Sequence, residues 1–227
     1  MAGKGNKRHI KRLASSRYMA IGRKASKYVI KPMPGRHTGK RSISLMTVLK
    51  EKIMSATSRE AGFAIKSSSI KVNGKTVKEP KYAVGFGDLI EILPTNESFR
   101  IVSGKDGRFE IEKAKGKHRS NQTFKVIGKY VGKKGKIFLK LHDGSSVGSD
   151  NSAKVNDSVV LAEKKISKVI KLEKGSKCYV VTGTHASESG TIKEITKGTL
   201  QRNPSVKIEG GSGEFETLLR NIMVVGE

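Results

Sequence analysis

Cys178 and His185 are the two residues of this sequence whose types suit a nucleophilic catalytic pair. They stand seven positions apart and could face each other across a β-hairpin. A catalytic thiolate requires an electropositive, partly exposed position, whereas an unreactive free cysteine is usually a small buried hydrophobic residue. The sequence therefore favours a structural role for Cys178.

Patterns typical of metal sites, cofactor sites and catalytic sites do not occur elsewhere in the 227 residues. The five histidines are scattered without metal-ligand spacing, and a single cysteine excludes both an internal disulfide and a cysteine-cluster metal site. No Gly-x-x-x-x-Gly-Lys-Ser/Thr phosphate-binding loop is present. We therefore expect a protein that is not an enzyme and that uses no cofactor, no metal and no small-molecule substrate.

The feature that does indicate a function is positive charge. The chain has 46 lysines and arginines against 20 aspartates and glutamates, a formal net charge of +26. Fourteen of the basic residues stand in the first fifty positions, which contain no acidic residue. Such a segment repels itself unless a polyanion supplies the countercharge. Nucleic acid is therefore the expected partner, and we expect the free N-terminal segment to be poorly ordered.

The sequence also indicates a cellular compartment. The single cysteine fits a reducing environment. No apolar stretch follows the basic N-terminus as in a signal peptide, and no run approaches the roughly 18 apolar residues of a membrane span. We expect a cytoplasmic protein with no membrane partner.

Residues 42–94 show the pattern of a small helical and β unit. Apolar residues recur at helical spacing from Leu45 to Ile53, and Thr57 and Glu60 have the spacing of a capping box at the start of a second helix. The stretch IKVNGKTV over 70–77 then alternates around an Asn-Gly pair, which predicts a tight hairpin with a type I′ turn.

The rest of the chain has the pattern of short β-strands. Residues 95–172 contain apolar runs at about ten-residue spacing, separated by turns rich in glycine and lysine, which predicts a compact barrel or sandwich. Residues 173–227 contain further short strands. The aromatic residues scattered among the lysines could stack on unpaired bases, as is common in RNA recognition.

Two of these segments resemble known RNA-associated families. Residues 42–94, with a Val-Asn-Gly-Lys turn and a later Gly-Asp before the last strand, are similar to the S4 RNA-binding domain. Residues 175–192 resemble a KOW motif, in which Gly183 and Gly190 match conserved glycines and Ser187 replaces a third. If the residue at this position requires a positive φ, the serine either places mild strain on the loop or makes the loop bend differently.

The N-terminal segment and the order of the segments resemble one family. The stretches GNKRHIKRLA (5–14), PMPGRH (32–37) and SISL (42–45) resemble the ribosomal protein S4e family of archaea and eukaryotes. Segments 154–158 and 220–226 are similar to its later landmarks, and the short C-terminus suits archaeal members better. Arg36 and Tyr28 depart from residues that the family favours, proline and tryptophan.

The resemblance implies a fold class of α+β, mostly β. It divides the chain into a basic extended arm (1–41), an S4 domain (42–104), a central β-barrel or sandwich domain (105–172) and a KOW, SH3-like β domain (173–227). It also implies a structural protein of the small ribosomal subunit, located in the cytoplasm, with small-subunit rRNA and neighbouring ribosomal proteins as its partners.

The rRNA-binding residues that we predict lie in the arm, the S4 domain and the KOW loop. They are Lys7, Arg8, Lys11, Arg12, Arg17, Arg23, Lys24, Arg36, Lys50, Lys52, Arg59, Lys66, Lys75, Thr182, Gly183, Thr184, His185 and Gly190.

Two other functions remain open from the sequence. S4 domains also occur on RNA-modifying enzymes, which would need a reactive aspartate such as Asp106 or Asp143 or a cofactor loop. A KOW motif also occurs in transcription and translation factors, which bind a protein partner. Turnover with RNA and a methyl donor, or recovery with a polymerase, would distinguish these functions from a ribosomal one.

Overall fold

The computed structural model of this chain describes residues 9–19, 21–22, 26–53, 57–114, 122–149, 152–162, 165–211 and 213–226, without the side chains of residues 52 and 134. The chain divides into two compact units. The first contains Met1–Val102 and Arg108–Ala114, and the second contains Ser103–Gly107 and Lys115–Glu227. The boundaries of the four segments given above stay predictions.

The first unit combines a short helical region with antiparallel strands. Helix α1 (Leu45–Val48) continues as a π-helical turn over Leu49–Ile53, and helix α2 follows at Ser58–Lys66. Strands β1 (His9–Lys11) and β2 (Tyr28–Ile30) pair with each other, as do β3 (Ile43–Ser44) and β6 (Ala83–Val84). A five-stranded sheet has the order β5-β4-β7-β8-β9, with β4 at Ile70–Val72, β5 at Lys75–Thr76, β7 at Leu89–Ile92, β8 at Glu97–Ser103 and β9 at Phe109–Lys113.

The predicted start of α2 is confirmed. The Thr57 hydroxyl accepts the main-chain N–H of Glu60, and the Glu60 carboxylate accepts the N–H of Thr57 at 3.0 Å. Two of the free N–H groups at this end are thereby satisfied. The helix buries Ala61 and Ile65 in a core that α1 and the five-stranded sheet share.

The arm is more regular where it is described than its charge alone suggests. His9 pairs with Ile30 and Lys11 with Tyr28 across β1 and β2. Met19 and Val29 are buried in the same core as the S4-like region. Apolar burial therefore anchors a segment that electrostatic repulsion would otherwise extend.

The second unit contains two five-stranded antiparallel sheets. One has the order β12-β11-β10-β13-β14, with β10 at Gln122–Val131, β11 at Ile137–Leu141, β12 at Ser146–Ser149, β13 at Ser158–Ala162 and β14 at Lys165–Ile170. The other has the order β18-β17-β16-β15-β19, with β15 at Lys177–Val180, β16 at Ser189–Thr196, β17 at Ser205–Gly210, β18 at Gly213–Leu218 and β19 at Ile222–Val224.

Each sheet of the second unit has its own apolar cluster, and a buried lysine joins the two sheets. The first cluster surrounds Val126 and Leu139, and the second surrounds Val180 and Ile208. Lys125 donates from Nζ to the main-chain oxygens of Leu219 and Ile222, at 2.6 and 2.8 Å. The predicted α+β, mostly β class, with a small helical region, is confirmed.

Candidate nucleic-acid interface

Helix α2 presents two of the predicted cations on its solvent face. Arg59 and Lys66 are exposed, and no described carboxylate lies within ion-pair distance of either. Phe63 lies between them at helical spacing and its side chain is 73% exposed. Because 59, 63 and 66 differ by four and three positions, the three side chains form one stripe opposite the buried face.

Sequence reasoning missed Phe63. A signal was available, because Phe63 is out of phase with Ala61 and Ile65, the two residues that α2 buries. An exposed aromatic ring between two cations can stack on a base while the cations contact phosphates.

The hairpin of β4 and β5 carries the next predicted cation, Lys75. Asn73 and Gly74 have φ of 48° and 73°, which is the type I′ geometry that the Asn-Gly pair predicted. Lys75 follows the turn and is exposed, with no described carboxylate in ion-pair range. The turn thus projects a cation from a two-residue loop of defined shape.

A buried polar network centred on Asp88 holds this turn in place. One Asp88 oxygen accepts from Asn73 Nδ2 at 2.6 Å, while Asn73 Oδ1 accepts the main-chain N–H of Leu89 at 2.8 Å. The other oxygen lies 2.8 Å from His37 Nε2 and accepts the N–H of Gly85 at 2.9 Å. The arm, the turn and the start of β7 therefore share one carboxylate.

The Asp88 network also explains why residue 85 is a glycine. A Cβ on Gly85 would stand 2.6 Å from Nδ1 of the His37 ring, so the ring can pack there only against a residue without a side chain. Burial alone would raise the pKa of Asp88, but the His37 contact and the two other donors outweigh it and hold that pKa below its usual value.

The predicted arm residues divide into three groups. Lys7, Arg8, Arg23 and Lys24 lie outside the described residues. Lys11 and Arg17 are exposed, as expected for phosphate contacts. Arg12 and Arg36 are partly buried, and Arg12 donates to the main-chain oxygen of Ile21.

A cleft of about 770 Å³ opens in the described part of the arm. Its lining combines apolar residues with three cations that the sequence analysis did not select. The three cations are Lys31, Lys40 and Arg41. The other lining residues are Ile10, Ala14, Ser16, Tyr18, Pro32, Thr38 and Gly39. Lys40 and Arg41 are exposed, so this cleft extends the basic surface of the first unit.

The remaining predicted residues of the first unit are weaker candidates. Lys50 lies 3.6 Å from the Glu51 carboxylate, which already supplies a countercharge. The side chain of Lys52 lies outside the described part of the structure.

The predicted loop residues of the second unit serve mostly the fold. Thr182 is buried and donates its hydroxyl to Asn221 Oδ1 at 2.9 Å. His185 stacks on Phe215 with ring centroids 4.2 Å apart. Gly183 and Thr184 are exposed, so these two offer the free surface of the loop.

Two backbone features define this loop. Ser187 has φ of 73°, so the residue that replaces a glycine does adopt the left-handed conformation. A Cβ on Gly190 would collide with the main-chain oxygen of Glu209 and would lie 2.7 Å from Cγ2 of Ile208. Gly190 therefore permits the close pairing of β16 and β17 and is a structural residue.

The structure gives no support to a Cys178–His185 catalytic pair. Cys178 is 2% exposed and burial raises the pKa of its thiol to about 11, so the thiol is protonated at neutral pH. Within the described ranges, no group of three or more His, Cys, Asp or Glu side chains could hold a metal ion. No helix of the described chain is both long and apolar enough to cross a bilayer.

Comparisons with known proteins identify relatives over nearly the whole chain. The family model for ribosomal family S4e matches residues 95–167, and that for the S4 domain matches residues 44–90. The small ribosomal subunit protein eS4 of Methanocella arvoryzae is 36% identical over 96% of this chain and 94% of that protein. The eS4 protein of Thermoplasma acidophilum is 34% identical over 95% and 92%.

A solved structure shares the fold as well. The crystal structure of the 30S ribosomal protein S4e from Thermoplasma acidophilum superposes with a TM-score of 0.71 at 32% identity. The match covers 82% of this chain and 96% of that one. The KOW resemblance of residues 175–192 stays a prediction.

Proposed function

This chain belongs to the S4e family of ribosomal proteins, and from that premise we propose that it is a structural protein of the small ribosomal subunit that binds small-subunit rRNA. It has no enzymatic role and works in the cytoplasmic ribosome. Its partners are rRNA and neighbouring proteins of the subunit. The S4 domain match supports the RNA contact over residues 44–90.

The observation that carries this proposal is the set of unpaired cations around α2 and the β4–β5 turn. Arg59, Lys66 and Lys75 are exposed and have no ion partner among the described residues. Cations that the protein leaves without a partner gain most from phosphate, because each contact releases condensed counterions.

Rigid presentation is the second element of the mechanism. The turn that carries Lys75 is fixed by the hydrogen bond between Asn73 and Asp88. Asn73 is partly buried and Asp88 is buried. A preorganised surface loses less conformational entropy on binding than a flexible one. The S4-like region therefore docks on folded RNA, while the arm adds contacts through Lys11, Arg17 and the cations around its cleft.

The loop between β15 and β16 supplies a third and smaller contact in this proposal. Its exposed residues, Gly183 and Thr184, can offer main-chain and hydroxyl groups to RNA or to a neighbouring protein. Thr182, His185 and Gly190 act indirectly, because they shape the loop.

Neither alternative function receives support. Relatives that match 95–96% of this chain are named small ribosomal subunit proteins, and none of these matches points to an RNA-modifying enzyme or to a transcription factor. Asp143, one of the aspartates considered for catalysis, is buried and accepts the N–H and hydroxyl of Ser145 within its own turn.

A sucrose gradient tests the ribosomal assignment directly. We expect the native chain to sediment with the small subunit in stoichiometric amount at low salt, because the contacts are many and distributed. Recovery at the top of the gradient would contradict the assignment and favour a loosely bound factor.

A salt titration tests the proposed residues. If about six to ten phosphates are contacted, rRNA affinity should fall about 10³–10⁵-fold between 50 and 200 mM salt. Replacing Arg59, Lys66 and Lys75 together by glutamine should flatten the slope by about 0.9 for each phosphate that the variant no longer neutralises. The matched control replaces three exposed lysines of the second unit: Lys165, Lys168 and Lys171. Equal slopes for the two triple variants would contradict the placement of the site.

The arm is tested by substitution and not by deletion. Removing residues 1–41 would expose the core that Met19 and Val29 help to fill. Changing Lys11 and Arg17 to glutamine leaves that core intact and should also flatten the salt dependence. An unchanged slope would show that these two residues do not contact phosphate.

A further inference from the structure

The hairpin of β10 and β11 carries an exposed aromatic pair that the rRNA proposal has not used. Tyr130 and Phe138 are directly opposite each other in the register of the two strands. Their rings stack with centroids 5.4 Å apart and planes inclined by 15°. Tyr130 is 46% exposed, so one side of this stack is open to solvent.

The alternation of the strands directs the pair away from the core. Leu139 and Leu141 are buried in the cluster of this sheet. Successive side chains of a strand point to opposite faces, so Phe138 and its cross-strand partner Tyr130 lie on the outer face. Burial of the sheet's core therefore does not explain the aromatic pair.

Glycines shape the surface around the aromatic rings. A Cβ on Gly132 would stand 2.5 Å from the Phe138 ring, so the ring packs directly over the main chain there. Gly148 of β12 pairs with Phe138 on its other side and adds no side chain. Phe138 is thus held in place, and Tyr130 extends the flat surface towards solvent.

Lysines surround the aromatic pair. Lys140 lies two positions beyond Phe138 and shares its face, while Lys133 and Lys136 stand at the end of the hairpin. All three are exposed, and no described carboxylate is within ion-pair distance of any of them. Their positive charge is complementary to a phosphate backbone. It does not suit the core of a protein interface, where lysine is depleted.

We propose that Tyr130 and Phe138 form a stacking platform for an unpaired base of the small-subunit rRNA, with Lys133, Lys136 and Lys140 contacting the flanking phosphates. Base stacking on aromatic side chains with cations along the backbone is a common chemistry of single-stranded RNA recognition. This inference rests on the proposed function, and it adds a contact in the second unit outside the residues predicted from the sequence.

The absence of tryptophan from the chain makes a direct test possible. Tyr130→Trp introduces a single indole on the platform, and Val131→Trp introduces one on the opposite face of the same strand, where the side chain is 70% exposed. Each full-length variant is titrated with protein-free rRNA extracted from the native small subunit. We expect fluorescence quenching at position 130, because a stacked base quenches indole emission, and little change at position 131. Equal quenching at both positions would overturn the stacking proposal.

Affinity for the same rRNA gives a second readout. Tyr130→Ala should weaken binding about 5- to 150-fold, the range expected for the loss of one stacked base. Tyr130→Phe should keep most of the affinity because the ring remains, and Val131→Ala is the matched control. Phe138 is left unchanged, because its ring packs against Gly132 and its removal would disturb the hairpin.

The outcomes separate this inference from the function on which it rests. If the unaltered chain fails to bind the rRNA, the proposed function itself is contradicted. If it binds and Tyr130→Ala matches Val131→Ala, only the platform is wrong. If Tyr130→Ala binds naked rRNA normally but is lost from assembled subunits, the pair contacts a protein, and the RNA platform is likewise refuted.

Discussion

The two-residue β4–β5 turn of the first unit and the longer β15–β16 loop of the second are held in different ways. The first is fixed by side chains, because Asp88 collects donors from Asn73, His37 and Gly85. Among the described residues, the second has no buried carboxylate at its centre and depends more on the backbone, through the positive φ of Ser187 and the missing side chain of Gly190, beside the contacts of Thr182 and His185. The two loops should therefore respond to different perturbations.

A buried ionisable group in each unit, Asp88 in the first and Cys178 in the second, shows how hydrogen-bond partners change the effect of burial on a pKa. Burial raises the pKa of Cys178 to about 11, and one main-chain hydrogen bond does not offset it. Burial also acts to raise the pKa of Asp88, yet His37 and the other donors lower it overall. A buried group stays charged only when partners replace the water that it loses.

The largest loss of stability is expected from removing the Asp88 carboxylate of the first unit. Asp88→Ala leaves His37, Asn73 and the Gly85 N–H without their acceptor, which should lower the free energy of unfolding by about 3–5 kcal/mol. Urea denaturation measures the loss. Asp106→Ala, at an exposed aspartate, should change it by less than about 0.5 kcal/mol. Similar losses for the two variants would show that the Asp88 network does not hold the turn.

The second largest loss of stability is expected where Gly190 of β16 packs against the main chain of β17. Gly190→Ala places a methyl group against the main chain of Glu209, and we expect a loss of about 1–3 kcal/mol from overpacking. Gly128→Ala is the control within a strand, because a Cβ there would meet no heavy atom within 4 Å. Thermal or urea unfolding of both variants decides the question, and a tolerated Gly190→Ala would contradict the close approach of β16 and β17.

Acid should weaken the first unit through the same carboxylate. Because the pKa of Asp88 is lowered from 3.8 on folding, its stabilising contribution is complete above that value and is lost as pH falls through the lower folded pKa. Asp88→Asn lacks this dependence. In urea titrations, the stability difference between the parent chain and Asp88→Asn should therefore be constant near pH 5 and shrink toward about pH 3. Parallel curves over this range would be the contrary result.

The smallest effect is expected at Ser187. A side chain at φ of 73° destabilises the folded chain by roughly 1–2 kcal/mol, which a glycine would relieve. Glycine also gives the unfolded chain more conformational freedom, and this offsets part of the stabilisation. Ser187→Gly should therefore stabilise the chain by less than about 1 kcal/mol. Ser189→Gly, within β16, should destabilise it. Destabilisation by both substitutions would show that Ser187 is not strained.

Features set by neighbouring residues could be read from the sequence. The capping box of Thr57 and Glu60 and the turn of Asn73 and Gly74 both formed as predicted. The glycine pattern identified Ser187 as a position of strain or of a different bend, and its φ of 73° is the left-handed conformation that the pattern requires. In each case the interaction lies within a few positions along the chain, so residue type and spacing carry the information.

The candidate site was only partly predictable. Arg59, Lys66 and Lys75 are exposed, as phosphate contacts require, whereas Thr182 and Gly190 have structural contacts that the sequence did not show; RNA binding by these residues stays a prediction. Phe63 and Tyr130 were missed because the sequence pattern did not show that these aromatic rings remain outside a core. Charge density indicated an RNA partner without indicating which cations are left unpaired.

The sequence by itself determined the local turns and the mostly β class and indicated a polyanion as the partner, since these depend on composition and on short-range spacing. Only the tertiary structure joined His37 to Asp88 across 51 positions and placed Gly190 against Glu209. It also stacked Tyr130 on Phe138. Such pairs depend on which surfaces the folded chain brings together. The fold also decides that Asp88 is buried with donors around it and that the Tyr130 ring stays partly exposed.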